Sequence, residues 1–346
     1  MAVIAIDGMG GDYAPQAIVE GIDQALDGSL PGIKQILLVG DEARLASELD
    51  RVGRRGDSRI ELVHADQVVD MHESPAKAVR SKRRSSINVA VDMVKQGRAD
   101  AVISAGHTGA ATAASVLKLR TLPGVERPAI ATLMPSPSGH FLVLDVGSNV
   151  ECKPIHLLQY AIMGDVYERT IRGKSSPRIG LISVGGETGK GNDLTKETFK
   201  LLESTPHLNF VGNIEGHDLF TGKVDVVLCD GFTGNVILKT CEGLAHAIGK
   251  ILKQSLKKTP VRMLGALLSQ GAFRELKELC DYAESGGAPL LGVNGVCIIG
   301  HGSSCPRAIR NAIRVAGEFV EYQVNRHIVE RIEEISGGPE QDGASS

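Results

Sequence analysis

Tryptophan is absent from this chain of 346 residues, and all aromatics together make up only 3% of it. A nucleic-acid binder that stacks bases on aromatic rings needs more than that, so no nucleic-acid partner is expected. Charge of one sign is also lacking. The 38 Lys and Arg against 41 Asp and Glu leave a formal net charge of −3, so only local patches can steer a partner. Six cysteines occur without a C-x-x-C pair, which fits a reducing, cytoplasmic setting. Cys152 and His156 are spaced i,i+4, as are His301 and Cys305, but two ligands do not make a zinc site and no metal is expected. No apolar run reaches the ~18 residues that a bilayer-spanning helix needs. The opening MAVIAIDGMGGD has no basic segment and meets Asp7 too early for a signal peptide.

What is abundant is glycine, 41 residues of it, and the glycines gather after short apolar runs. The stretch Arg178–Leu194, RIGLISVGGETGKGNDL, shows the pattern best. Ile179–Val184 reads as a buried strand, four glycines follow within seven residues, and Leu194 opens a helical pattern. Without Cβ atoms the backbone amides of Gly189 and Gly191 can approach a ligand closely. The coming helix start adds partial positive charge and Lys190 adds a full one, so a phosphate or a developing oxyanion suits the turn. It is not a P-loop, because Lys190 is followed by Gly191. A Lys-bearing surface turn is the plainer alternative.

The same strand-to-turn design recurs along the chain. Ala2–Ile6 ends in DGMGGD at 7–12, where Tyr13 stands in place of the third glycine of a dinucleotide fingerprint. Ala101–Ile103 ends in Ser104-Ala105-Gly106-His107-Thr108-Gly109, Phe141–Leu144 in DVGSN at 145–149, and Asp225–Leu228 in CDGFTGN at 229–235. Strands at 35–39 and 60–63 alternate with helices near 15–26, 42–52 and 86–96, which predicts an α/β fold with parallel strands. Ile130–Leu133 and Phe141–Leu144 read as a hairpin, and helices are expected at 111–119, 154–171, 195–203, 235–258, 262–281 and 303–334. In open parallel sheets ligands bind at the carboxyl ends of strands, so five such turns are expected to share one cleft. Residues 1–335 read as a single unit with a lobe boundary near 173–177, a helical hairpin over about 240–283 and a disordered tail at 336–346.

Two cationic stretches stand out. Lys77, Arg80, Lys82, Arg83 and Arg84 place five cations within eight residues with no acid among them. They read as a solvated helix face or as a dock for an acidic partner. Between Gly243 and Arg274 there are six cations and no acid, on helices that also carry Leu264, Leu267 and Leu268. Such a hairpin is a core or dimer contact, or lies against anionic lipid.

Taken in order, DGMGGD at 7–12, SAGHTGA at 104–110, LDVGSN at 144–149, VGGETGKGND at 184–193, GNIEGHD at 212–218, CDGFTGN at 229–235 and GGAPLLGVNG at 286–295 resemble the PlsX family of phosphate acyltransferases. The likeness spans Ala2 to Glu334. It implies a homodimeric three-layer α/β sandwich with a mainly parallel sheet, similar to isocitrate/isopropylmalate dehydrogenases and phosphotransacetylases, plus a projecting helical hairpin. It also implies transfer of a long acyl group from acyl carrier protein to inorganic phosphate, without metal or nucleotide. The acyl phosphate formed feeds a membrane glycerol-phosphate acyltransferase, so a cytoplasmic protein with peripheral membrane contact is expected.

By this resemblance Lys190, Asn192 and Asn235 are the catalytic candidates. Gly189, Gly191, Ser104, Thr108, Gly109, Asn149, Asp230, Thr233 and His301 are the substrate-binding ones. Lys77, Arg80, Lys82, Arg83 and Arg84 would dock the carrier, and Leu264, Leu267 and Leu268 would touch the membrane. The chain departs from the family pattern at His107, where Asn is expected, at His217, where Arg is expected, and at Gly186, where an acid is expected. A phosphotransacetylase acting on a CoA thioester, a non-catalytic phosphoester-binding regulator and an acyl-enzyme route through Cys152 and His156 are the competing readings.

Overall fold

Short runs rich in Val, Ile and Leu become strands wherever alternate residues can be buried on two sides, and this chain has eleven of them among its described residues. The computed structural model describes residues 1–28, 30, 32–279 and 282–336. In chain order the elements are β1 (Ala2–Asp7), α1 (Gln16–Asp27), β2 (Ile33–Gly40), α2 (Glu42–Arg51), β3 (Ile60–His64), α3 (Pro75–Ser81), α4 (Ser86–Lys95), β4 (Ala101–Ser104) and α5 (Thr108–Leu119). There follow β5 (Ala129–Ser136), β6 (Gly139–Leu144), α6 (Pro154–Thr170), β7 (Ile179–Ile182), α7 (Asp193–Glu203), β8 (Phe210–Ile214), β9 (Val226–Leu228) and α8 (Gly231–Leu256). The chain ends with α9 (Pro260–Leu268), α10 (Gln270–Leu279), α11 (Tyr282–Ser285), β10 (Ala288–Leu291), β11 (Val296–Ile299), α12 (Pro306–Glu321) and α13 (Val324–Ser336).

All strands join one sheet in the order β3-β2-β1-β4-β11-β10-β5-β6-β9-β7-β8. β3, β2, β1, β4 and β11 are parallel, and so are β6, β9, β7 and β8. Three antiparallel steps, β11-β10, β10-β5 and β5-β6, join the two halves. Side chains alternate between faces as the strand period demands. Ile4 and Ile6 of β1 and Ile36 and Leu38 of β2 pack with Ile22 of α1 and Ile313 of α12 on one face. Ala5, Leu37 and Val39 pack with Val91 of α4 and Ala114 of α5 on the other, which makes the three-layer sandwich.

The two halves run in opposite senses across the three antiparallel steps.

Three expectations need correction. The helix expected over 262–281 is two, α9 and α10, broken at Ser269, and its expected end at Asp281 lies outside the described residues. The closing helix is also two, separated at Tyr322 and Gln323, where Gln323 takes a left-handed φ of 50°. A strand at Ala288–Leu291 was not expected. It pairs only two residues with β11 and two with β5, too short a run to show period-two alternation. The expected tail at 336–346 lies, beyond Ser336, outside the described residues.

At 173–177 the chain passes from α6 to β7, and a charge cluster ties this connection down. Asp225 accepts from Lys174 Nζ at 2.8 Å, Arg178 Nε at 2.9 Å and the Arg178 amide at 2.8 Å. Burial alone would raise its pKa, but these bonds hold it at about 2. A depressed carboxyl contributes stability above its unfolded pKa, near 3.8, which disappears as pH falls through 2. Asp225→Asn is therefore expected to cost about 2 kcal/mol at pH 7, with the gap to the native chain narrowing below pH 4. Urea titrations of both proteins at pH 7 and pH 3 check this, and a pH-independent gap would contradict it.

Candidate active site

Strand-end aspartates organise two of the polar clusters. At the end of β1, the Asp7 carboxylate accepts from Ser104 Oγ at 2.8 Å and from the Met9 amide at 3.3 Å. Burial pushes its pKa up, while bonds from Ser86, Ser104, Met9 and Gly10 work the other way. Gly10 sits so close that a Cβ there would lie 2.6 Å from Asp7 Oδ2 and 2.9 Å from the Gly106 amide. The Asp12 amide donates to Gly302 O and the Gly300 amide to Ser104 O, both at 2.8 Å. Turns 7–12, 104–109 and 300–304 thus form one cluster, which holds Ser104, Gly109 and, exposed at its rim, Thr108 and His301. His301 Nδ1 lies 2.8 Å from Ser303 Oγ.

The second cluster sits at the ends of β6 and β9 and is built on Asp145, which is fully buried. Its Oδ1 accepts from the amides of Ile130 at 2.9 Å, Gly147 at 3.2 Å and Ser148 at 3.0 Å. Its Oδ2 accepts from the Asn149 amide at 2.6 Å and Asn149 Nδ2 at 3.3 Å. Burial raises this carboxyl too, against those bonds. Asn149 Nδ2 reaches Pro128 O at 2.6 Å and Tyr160 Oη at 2.9 Å, and Asn149 O accepts from the Gly231 amide at 2.7 Å. The 145–149 turn therefore seats the first turn of α8. Asp230 caps that helix, accepting from the Thr233 amide at 2.9 Å and Thr233 Oγ1 at 2.8 Å. Asn235 projects exposed from the same turn, next to Gly147.

The third cluster is the turn from β7 to α7. β9 lies between β6 and β7, so this turn neighbours the second cluster. Asn192 is the N-cap of α7, its Oδ1 accepting from the Thr195 amide at 2.9 Å. Asn213 Nδ2 donates to Glu187 O at 3.0 Å and steadies the turn. Gly191 has a φ of +106°, and a Cβ there would meet Thr195 and Ser183. Lys190 is exposed, and its ammonium has no partner among the described residues.

The expected site residues thus fall into separate clusters. Ser104, Thr108, Gly109 and His301 share the first, Asn149, Asp230, Thr233 and Asn235 the second, and Gly189, Lys190, Gly191 and Asn192 the third. Asp230, Thr233 and Asn192 are engaged in capping, whereas Lys190 and Asn235 are exposed and take part in no cap. Cys152 and His156 do not face each other. The Cys152 thiol is 3.5 Å from Asn149 O and is pushed up by burial, while His156 lies between the Lys153 amide and Glu126 Oε2, each at 3.1 Å. That geometry gives the acyl-enzyme route no thiolate–imidazole pair. No group of three or more metal-ligating side chains occurs among the described residues.

The cation run is less uniform than it reads. Lys77 and Arg80 lie on α3 and Lys82, Arg83 and Arg84 in the turn after it. Lys82 pairs with Glu73, and Arg84 with Asp66 at 3.1 Å. Of the departing positions, His107 Nε2 lies 3.2 Å from Glu73 O, Gly186 has open space around it, and His217 is exposed beside Glu215 and Asp218. Asp7 and Asp145 were not singled out from the sequence. Their signal there is an Asp that ends an apolar run and precedes a glycine turn.

A family model described as "Fatty acid synthesis protein" matches residues 2–327. A phosphate acyltransferase of Citrifermentans bemidjiense is 50% identical over 344 residues, covering 99% of this chain and 96% of the relative. One of Akkermansia muciniphila is 50% identical over 342 residues, covering 97% of each. Among solved structures, a phosphotransacetylase from Streptococcus pyogenes superposes with a TM-score of 0.58 at 16% identity, covering 92% of this chain and 94% of the other. A branched-chain phosphotransacylase from Enterococcus faecalis V583 gives 0.55 at 14% identity, covering 92% and 99%. These two are likenesses of fold.

The seat of α8 can be tested directly. A Cβ at Gly234 would collide with the Asp145 carbonyl oxygen, whereas one at Gly186 would meet nothing within 4 Å. Gly234→Ala is expected to cost about 1–3 kcal/mol by overpacking, and Gly186→Ala to stay near neutral. Thermal unfolding of both checks the contrast, and equal midpoints would mean that α8 does not rest on the 145–149 turn.

Proposed function

Because the chain belongs to the PlsX family of phosphate acyltransferases, we propose that it moves a long fatty acyl group from acyl carrier protein to inorganic phosphate. The observation that carries this reading is the Lys190 ammonium, exposed in a glycine turn and without a partner among the described residues. A phosphate oxygen attacks the thioester carbonyl. The new C–O bond forms as the C–S bond breaks, and the electron pair leaves on sulfur as a thiolate. A thiol has a pKa near ~8.5, so the leaving group needs little protonation. Lys190 and the amides of Gly189 and Gly191 offset the charge of the phosphate, and Asn235 donates to the oxyanion. Asn149, Asp230 and Thr233 hold Asn235 in place, and Asn192 holds Lys190. Ser104, Thr108, Gly109 and His301 line the side that receives the thioester arm. No metal or cofactor enters the reaction.

The carrier, as against CoA, is supported by the cationic run at 77–84 next to the first cluster. A phosphotransacetylase would not need that patch, and a phosphoester-binding regulator would show no turnover. The decisive assay supplies phosphate with an acyl group on carrier protein or on CoA and follows free thiol. The carrier thioester is expected to be preferred. One oxyanion donor contributes ~2.7–4 kcal/mol, so Lys190→Ala should lose at least about 100-fold in kcat with its unfolding midpoint unchanged. Near-native turnover in the folded variant would remove Lys190 from the mechanism.

The helical hairpin supports a homodimer with peripheral membrane contact, delivering acyl phosphate to a membrane glycerol-phosphate acyltransferase. α9 has no buried residue, and Leu264, Leu267 and Leu268 are 58%, 66% and 80% exposed. Among the described residues no helix is long and apolar enough to cross a membrane. Insertion of the leucines contributes roughly 25 cal/mol per Å2, and each nearby cation about 1 kcal/mol on anionic lipid. Leu264→Glu with Leu268→Glu is expected to abolish sedimentation with anionic vesicles while turnover and dimer size stay intact. A variant that falls to monomer or unfolds would place the stripe in an interface or core and defeat the membrane reading.

A further inference from the structure

The pairing of Lys82 with Glu73 and of Arg84 with Asp66 divides the cationic run into matched and unmatched charges. Lys77, Arg80 and Arg83 are exposed and have no acidic partner among the described residues. Arg80 and Arg83 line a hollow of about 280 Å3 together with Val79, Asn88 and Leu117. Lys118 and Asp92 also line it, but they match each other at 2.6 Å and leave no net charge there.

The platform is built to hold its shape. Asn88 is fully buried, and its Nδ2 donates to Val79 O at 3.0 Å, Lys82 O at 2.9 Å and Ser85 Oγ at 3.1 Å. Three bonds from one side chain thus fasten the end of α3 and its turn to α4. Lys118 Nζ reaches Asn88 O at 2.9 Å and ties α5 to the same point. At its other end α3 rests on the first cluster, where a Cβ on Gly109 would lie 2.7 Å from Pro75. These bonds hold the backbone that carries Arg80 and Arg83, so binding here does not have to order the chain segment itself. Leu117, 48% exposed, gives the hollow an apolar contact beside its two arginines.

We infer that this hollow is the docking site for an acidic helix of the acyl carrier partner. Arg80 and Arg83 each meet a carboxylate, and Leu117 takes the apolar side chain that lies between those carboxylates on the same helix face. The inference rests on the carrier-protein reading of the function and narrows it from five cations to two arginines and a leucine. A free phosphate would satisfy an arginine fork but leave Leu117 without a role. An acidic helix uses both, because carboxylates at i and i+3 or i+4 flank a common face. The net charge of the whole chain is −3, so attraction of an acidic protein has to come from a local patch of this kind. Since α3 is anchored on the 104–109 turn, a carrier docked here presents its thioester to the first cluster.

The test compares three double variants and one single variant with the native chain, each assayed with an acyl group on carrier protein and with the same group on a short thiol. Arg80→Glu with Arg83→Glu should raise KM for the carrier thioester at least about tenfold and flatten its dependence on salt. Turnover of the short thioester should change less than twofold. Lys82→Ala with Arg84→Ala should raise the carrier KM less than threefold, because those charges are matched within the chain. Arg80→Ala with Arg83→Ala should show the same pattern as the reversal at smaller size, and serves if the reversal does not fold. Leu117→Ser should raise the carrier KM without altering its salt dependence. An unchanged carrier KM in the arginine variants overturns the inference, and so does an equal loss with both donors. If the native chain shows no preference for the carrier over the short thiol, the carrier reading itself has failed and the dock falls with it.

Discussion

A buried carboxylate at the end of β6 decides where the second cluster can be. Asp145 is wholly enclosed, forms no ion pair among the described residues, and its oxygens accept from the amides of Ile130, Gly147, Ser148 and Asn149. A buried charge left without such donors would be costly, so the turn that supplies them cannot unwind independently. The first turn of α8 leans on that turn through Gly231 and Gly234, which tolerate no Cβ where they touch Asn149 and Asp145. Asn235 is therefore placed indirectly by a strand-end aspartate. Asp7 does the same for the first cluster, drawing Ser104 of β4 and the 8–10 turn together. One device at two strand ends organises the first and second clusters.

The separation of those clusters follows from sheet architecture. Three antiparallel steps lie between the half that carries the first cluster and the half that carries the second and third. Each cluster is closed by its own hydrogen bonds. Under the proposed reaction the two anionic substrates would be held by different halves, one delivered beside α3 and the other beside Lys190. Holding reactants in register is worth ~7–11 kcal/mol, comparable to the largest single contributions in catalysis.

Much of this was legible in the chain, and the reasons differ for what was not. The strands and the glycine turns that end them are local patterns, so β1, β4, β6, β7 and β9 could be located from apolar runs alone. The break between α12 and α13 carries neither Gly nor Pro, and Gln323 adopts its left-handed conformation without a sequence signal. β10 follows Gly286 and Gly287, both with positive φ, so the segment reads as loop until its neighbours β11 and β5 are known. The roles of Asp7 and Asp145 were hidden for the same reason, since which amides surround a carboxylate depends on strands distant in sequence. The cation run looked unopposed because its acids, Asp66 and Glu73, stand upstream in the loop before α3.

The site also constrains the kind of nucleophile it can serve. Asp7 and Asp145 have their oxygens occupied by donors, and Asp230 is committed to capping α8. His107 and His156 are each held by neighbours outside the reacting region, His107 by Glu73 O and His156 by Lys153 and Glu126. The buried thiols of Cys229 and Cys297 are pushed up by burial, away from thiolate. None of these groups is poised to take a proton from a neutral alcohol or amine. A nucleophile that arrives already ionised needs no such base, and phosphate at neutral pH is one. Under the proposed reaction the glycine turns would supply amide donors and Lys190 a positive charge in place of a base, which suits catalysis when both partners are anionic.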